Sequence, residues 1–150
     1  VAAVMAGHLK VPSLDPELPA TLSKAMITGL LRERWKFEGV VITDDMEMGA
    51  IDRHYRFGHA VELGVEAGVD VFLVCKDLDK TAEAVDRIAA WGKRGKDRAD
   101  RLRRSYERIM QLKRAYRFPG KAFDDAALGQ EPHRRLVEVV REAAAQGLGA

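Results

Sequence analysis

Three short apolar runs, each stopping at a polar residue and followed by a longer stretch of helical spacing, leave this chain few folds. Candidate strands occupy residues 2–9, 40–44 and 69–76, and their ends at His8, Asp44 and Lys76 lie 36 and 32 residues apart. A TIM barrel spends about 250 residues on eight such units, about 31 each, so the spacing fits three consecutive barrel units. A doubly wound open sheet uses the same unit. The second and third runs are nearly continuous in apolar residues, the pattern of parallel strands covered by helices on both faces.

The segments between strands read as follows. After the first run comes VPSLDPELPATLS, a proline-rich loop in which Thr21 or Ser23 can cap a helix running to Trp35, with Met26, Ile27, Leu30 and Leu31 inward. Gly39 and Gly68 stand in the similar phrases FEGVV and EAGVDV, which read as two copies of one helix-to-strand turn. Between them, a helix over residues 55–67 presents Ala60, Leu63, Gly64 and Ala67 as a small-residue face. Past the third strand, residues 78–91 form a helix with Ala82, Val85, Ile88 and Ala89 inward. A further helix over residues 97–116 carries Leu102, Tyr106, Ile109, Leu112 and Tyr116. Phe118-Pro119-Gly120 breaks it, a loop runs to Gln130, and a last helix places Leu136, Val137, Val140 and Ala144 on one side.

Composition narrows the function classes. At 47% apolar and 32% charged over 150 residues, the chain suits one ordinary domain, and no apolar run approaches the roughly 18 residues of a membrane-spanning helix. Cys75, the single cysteine, reads as a small core residue. Residues 93–117 hold eleven Lys or Arg against three acids. That run is either a nucleic-acid footprint centred on Arg101, Arg103 and Arg104 or the solvated face of a surface helix. The apolar stripe and the lack of interleaved aromatics favour the solvated face, so neither a nucleic-acid nor a membrane partner is expected. The chain opens on Val1 and at once on VAAVMAGHL, as a piece of a longer protein would. A cytoplasmic setting is the expectation.

The chemistry concentrates at VITDDME, residues 41–47. Parallel strands carry ligands at their carboxyl ends, and side chains alternate along them, so a strand that continues regularly that far puts Asp44 on a face with Ile42 and Asp45 on a face with Thr43. Asp44 can serve as a nucleophile or a metal ligand, or as a cap; Asp45 reads as a cap or a loop anchor. His8, at the first strand end, either lines the same pocket and orients a neighbour or is a hydrogen-bonded structural histidine. Met46 and Met48 can wall a substrate or simply pack. His54, His59 and His133 read as surface residues.

MAGHLKVPSLDPELPATLS, LLRERWKFEGVVITDDMEMGAI, AGVDVFLVC and RIMQLK, in this order over residues 1–117, resemble the family 3 glycoside hydrolases, especially their β-N-acetylhexosaminidases. The closing HRRLVEVVREAAAQGLGA resembles the helix leading from that barrel toward a second domain. The resemblance implies an α/β fold, the C-terminal portion of a (β/α)8 TIM barrel with about three βα units plus closing helices. Residues 118–150 would be a linker and helix toward a further domain. It implies a retaining glycosidase that releases terminal β-linked sugars, with Asp44 as nucleophile, no cofactor and no metal. Asp45 stands where the glucosidase branch commonly has Trp, which favours an N-acetylglucosamine substrate over a glucoside or xyloside. The resemblance also implies a histidine acid/base on a loop of the KH-x-PGHG type. None of the four histidines sits in such a phrase, so that partner and the sugar-binding Lys-His pair would lie upstream. The rival enzyme class is a magnesium-dependent phosphoryl-transfer domain using Asp44 and Asp45, with Lys76 assisting.

Overall fold

A computed structural model describes residues 1–116 and 129–145. Three parallel strands, β1 (Ala3–Ala6), β2 (Val40–Asp45) and β3 (Val71–Leu73), form one sheet in the order β1-β2-β3. Ala3 to Ala6 pair in step with Val40 to Thr43, whereas the β2–β3 register shifts between Ile42 and Asp45. Strands one and three are shorter than expected. Past Gly7 the chain turns off, with the Leu9 carbonyl accepting the Ala20 N–H, and the Val69 N–H is drawn back to the Gly64 carbonyl.

The helices come from different local causes. Ser23 does cap the first: its Oγ accepts the Met26 N–H at 3.2 Å. That helix, Ala25–Arg34, is of the wide π type, the Trp35 N–H reaching the Leu30 carbonyl five residues back. Short α1 (Gly49–Asp52) precedes α2 (Phe57–Ala67), which ends on Gly68 at φ 119°, in the left-handed region. Gly39 is used differently. Its helix has already ended, the positive φ falls on Lys36, and a Cβ on Gly39 would stand 2.4 Å from the Ala2 carbonyl oxygen. The two glycine phrases are therefore not copies of one turn.

One face of the sheet is packed. Ala6 and Val41 meet Ile27, Ala67 and Val69, while Leu22, Met46, Ile51, Ala60, Val61 and Ala84 form a neighbouring cluster. Gly64 lets α2 close on Phe72, as its small-residue face predicts. On the other face Met5 stands in register with Ile42, and Met5 is 57% exposed. Val40, on the same side of β2 as Ile42, is only 1% exposed, so among the described residues that face is covered at the amino end of β2 and left open around Met5.

Two helices turn faces other than the expected ones inward. In α3 (Leu78–Gly92) the buried residues are Ala84 and Trp91, with Ile88 beside them; Ala82 and Ala89 are exposed and Val85 is 62% exposed. Trp91 Nε1 donates to Glu66 of α2 at 3.1 Å, and that contact selects the rotation. In α4 (Lys96–Ala115) Ser105 is buried and Arg101 and Arg108 turn inward, while Tyr106 and Tyr116 are exposed.

The chain divides into two compact units, Val1–Arg117 and Phe118–Ala150. Within the second, α5 (Glu131–Ala145) carries Leu136, Val137 and Val140 exposed along it. The expected break at Phe118-Pro119-Gly120, its loop up to residue 128 and the Ala144 side chain lie outside the described residues. No helix among the described residues is long and apolar enough to cross a membrane.

Candidate functional site

The carboxyl ends of β1 and β2 meet at Asp44 and Asp45. Asp44, half-buried, stands within the register shift between Ile42 and Asp45 at the carboxyl end of β2. Its Oδ1 accepts the Asp45 N–H at 2.8 Å, which fixes the carboxylate without consuming its second oxygen. Asp45 does not cap a helix. Its Oδ1 accepts the Glu47 N–H at 3.1 Å and its carbonyl the Met48 N–H at 3.0 Å, so it holds the turn, and the residue capping α1 is Met48, with no side-chain bond.

His8 braces this strand end. Its Nε2 lies 2.9 Å from the Asp45 carbonyl oxygen, which can only accept, so Nε2 carries a hydrogen. Nδ1 lies 2.9 Å from Oγ1 of the buried Thr21, itself tied to the carbonyls of Ala6 and Gly7. Both ring nitrogens are thus engaged, as in the hydrogen-bonded structural reading. The ring also borders a cavity of about 340 Å³ shared with Lys10, Pro19, Ala50, His54 and Tyr55.

Two sequence expectations change here. Met46 is fully buried among Leu22, Ile51 and Ala60, so it packs the core and cannot wall a sugar. Met48 is 44% exposed at the turn and remains available to a ligand. Cys75 is exposed instead of in the core, because the chain leaves β3 at Leu73. Local desolvation, then the charges of Asp45, Glu47 and Asp44, push the thiol up from its ordinary value.

Glu47, which the sequence reading passed over, is the third acid of this corner. Its side chain is only 7% exposed and accepts the Lys76 N–H at 2.6 Å, joining the turn after β2 to the loop after β3. The signal available in sequence was an acid between two methionines directly after a strand end. Lys76 contributes its backbone here. Asp77 caps α3 through the N–H groups of Asp79 and Lys80. Among the described residues no three His, Cys, Asp or Glu side chains gather to hold a metal ion.

The opposite end of the sheet holds a second charged centre. Asp70, its side chain 0% exposed, accepts Arg32 at 2.6 Å, Arg108 at 2.7 Å, Ser105 at 2.5 Å and the Val41 N–H at 2.9 Å. Arg101 lies 3.6 Å away, bonded to Ser105 and to the Val69 carbonyl. Burial pushes the Asp70 carboxyl up, but Arg108, Ser105 and Val41 outweigh it, and the net shift is downward. Desolvation pushes the Arg101 guanidinium down to about 10; Asp70 opposes this, while Arg108, Arg32 and Arg104 add to it. Part of the basic run therefore serves the core. Arg103 pairs with Glu107 at 2.7 Å on the outer face. In barrels the amino ends of the strands serve stability, and the carboxyl ends carry chemistry.

A family model described as the glycosyl hydrolase family 3 N terminal domain matches residues 1–112. A beta-hexosaminidase of Hydrogenovibrio crunogenus is 37% identical over 89 residues, which is 57% of this chain and 24% of that protein. Among solved structures, a family 3 β-N-acetylglucosaminidase from Paenibacillus superposes with TM-score 0.77 at 35% identity, covering 93% of this chain and 28% of that one. The β-N-acetylglucosaminidase of Thermotoga maritima superposes with TM-score 0.70 at 31% identity, over 79% and 26%. The chain spans about a quarter of the length of the curated relatives it matches.

Proposed function

The chain belongs to the glycosyl hydrolase family 3 N-terminal domain family, and from that premise we propose that the protein containing it is a retaining glycosidase acting on β-linked N-acetylglucosamine. Asp44 is its nucleophile. The observation that carries this reading is the placement of Asp44: a half-buried carboxylate at the carboxyl end of a parallel strand, oriented by the Asp45 N–H at 2.8 Å.

Retention requires a carboxylate beneath the anomeric carbon, which attacks to form a glycosyl ester that water later opens. A second group must protonate the leaving oxygen and then activate that water. Asp45 is committed to its turn through Glu47, and His8 is engaged at both ring nitrogens, so neither is free for that task. The acid/base and the sugar-binding basic residues are assigned to segments outside residues 1–150. The three units described here are assigned to the C-terminal part of a (β/α)8 barrel, and residues 118–150 to the passage toward a further domain. Met48 and the rim of the His8 cavity form part of the sugar-facing wall.

Incubating the full-length protein with a fluorinated N-acetylglucosaminide that traps the glycosyl-enzyme should label Asp44, as read by peptide mass spectrometry; a label on any other carboxylate overturns the assignment. Asp44→Asn should lower kcat by about a thousandfold or more. N-acetylglucosaminides should be cleaved in preference to glucosides and xylosides; the reverse order would retain the nucleophile and reject the amino-sugar substrate.

A further inference from the structure

Glu47 bonds away from its own turn. One carboxylate oxygen accepts the N–H groups of Lys76 and Asp77, at 2.6 and 3.3 Å. The other lies 4.0 Å from Lys80 Nζ, which Asp52 holds at 2.7 Å. With the Glu47 side chain only 7% exposed, that desolvation is tolerable because main-chain donors and a cation answer it. The residue just before Lys76 is Cys75, exposed and within reach of the charges of Asp45, Glu47 and Asp44, and the Met46 N–H donates to the Leu73 carbonyl at 2.9 Å beside it. One side chain thus fastens the loop after β3 to the turn after β2, beside the acid that the reaction uses.

We propose that Glu47 is a positioning residue for the sugar pocket: it clamps the loop at Cys75–Asp77 against Asp44 and Asp45, making that loop a fixed wall of the cleft that receives the sugar ring. This rests on the reading of Asp44 as nucleophile. Glu47 touches no substrate; it acts through the Lys76 and Asp77 amides and the Cys75 that precedes them. A wall held in place sets how well the ring is seated, and seating errors of about 1 Å are expensive in rate.

The test uses the full-length protein and two readouts. Glu47→Gln keeps an amide oxygen for the Lys76 and Asp77 N–H groups, whereas Glu47→Ala removes the clamp and Glu47→Asp keeps the charge but loses the reach. KM for an aryl N-acetylglucosaminide should rise about tenfold in the Ala and Asp variants, with kcat changed less, and stay within about threefold of the parent in the Gln variant. Alkylation of Cys75 by iodoacetamide, followed to the high-pH plateau where the thiol is fully ionised so that the charge of Glu47 no longer sets the rate, should quicken severalfold with Ala and Asp and remain near the parent rate with Gln. Should the Ala variant fail to fold, the Asp and Gln pair carries the comparison. Equal shifts in Gln and Asp, or no change of alkylation rate in Asp, overturn the proposal. The alkylation readout does not depend on glycosidase activity, so a label on a carboxylate other than Asp44 would sink the functional reading while leaving the clamp measurable.

Discussion

At Asp70 three guanidinium groups share one fully buried carboxylate, and removing it would leave them without an anion. Asp70→Asn should destabilise the chain by about 3–5 kcal/mol, measurable by urea unfolding, since breaking one side of a buried pair strands the other. The folded-state pKa of Asp70 is depressed, so its contribution is fully present above the ordinary carboxylate range and is lost as pH falls through the lowered value. Acid titration of the parent should show a loss of stability beginning below about pH 4, and the Asn variant should show less. Met46 makes a contrasting case. Met46→Ala should cost about 2–5 kcal/mol while leaving KM for the sugar near the parent value, because the side chain sits wholly inside the core. A large KM change with little loss of stability would return Met46 to the pocket.

At the scale of elements, α2 and α3 carry the clearest expectations. Gly68 ends α2 at φ 119°, and a Cβ there would lie 2.9 Å from Thr28 Oγ1, so Gly68→Ala should cost at least about 1 kcal/mol in chemical unfolding. On α3, Val85→Glu should change the stability of this chain by no more than about 0.5 kcal/mol, whereas Ala84→Glu one residue away should unfold it. That pair distinguishes the observed rotation of the helix from the one its apolar spacing suggests. Both stripes are compatible with a 3.6-residue period. Sequence alone therefore offered Ala82, Val85 and Ala89, and only the docking of Trp91 beside Glu66 turned Ala84 inward.

For the molecule as a whole, the open face of the sheet is the feature to probe. Met5 and Ile42 lie there in register, apolar and only partly covered within the described residues. If that face is the interior of a barrel completed by other segments, Met5→Lys should be nearly neutral in this chain and should destabilise the full-length protein by about 2 kcal/mol or more, since the ammonium would then be buried. Equal melting shifts in both would argue against the barrel assignment.

Local information carried much of this protein. The alternation of apolar runs and helical stretches, the proline-rich connection, the Ser23 cap, the Gly68 stop and the small face of α2 are all properties of neighbouring residues, and each formed as the sequence dictates. Asp44 at a strand end was legible for the same reason, because where an apolar run stops is a short-range fact, whereas the register shift beside it depends on pairing with β3. What lay beyond reach depended on residues far apart in the chain. Asp70 draws Arg101 and Arg108 inward from more than 30 positions away, reversing the meaning of a basic helix. Glu47 reaches Lys76 across 29 positions, and Cys75 becomes exposed because β3 ends early. Periodicity specifies that a helix or strand has faces. Which face is buried, and which charge is answered by which partner, is decided only when the elements pack, because burial and desolvation are properties of the assembled surroundings.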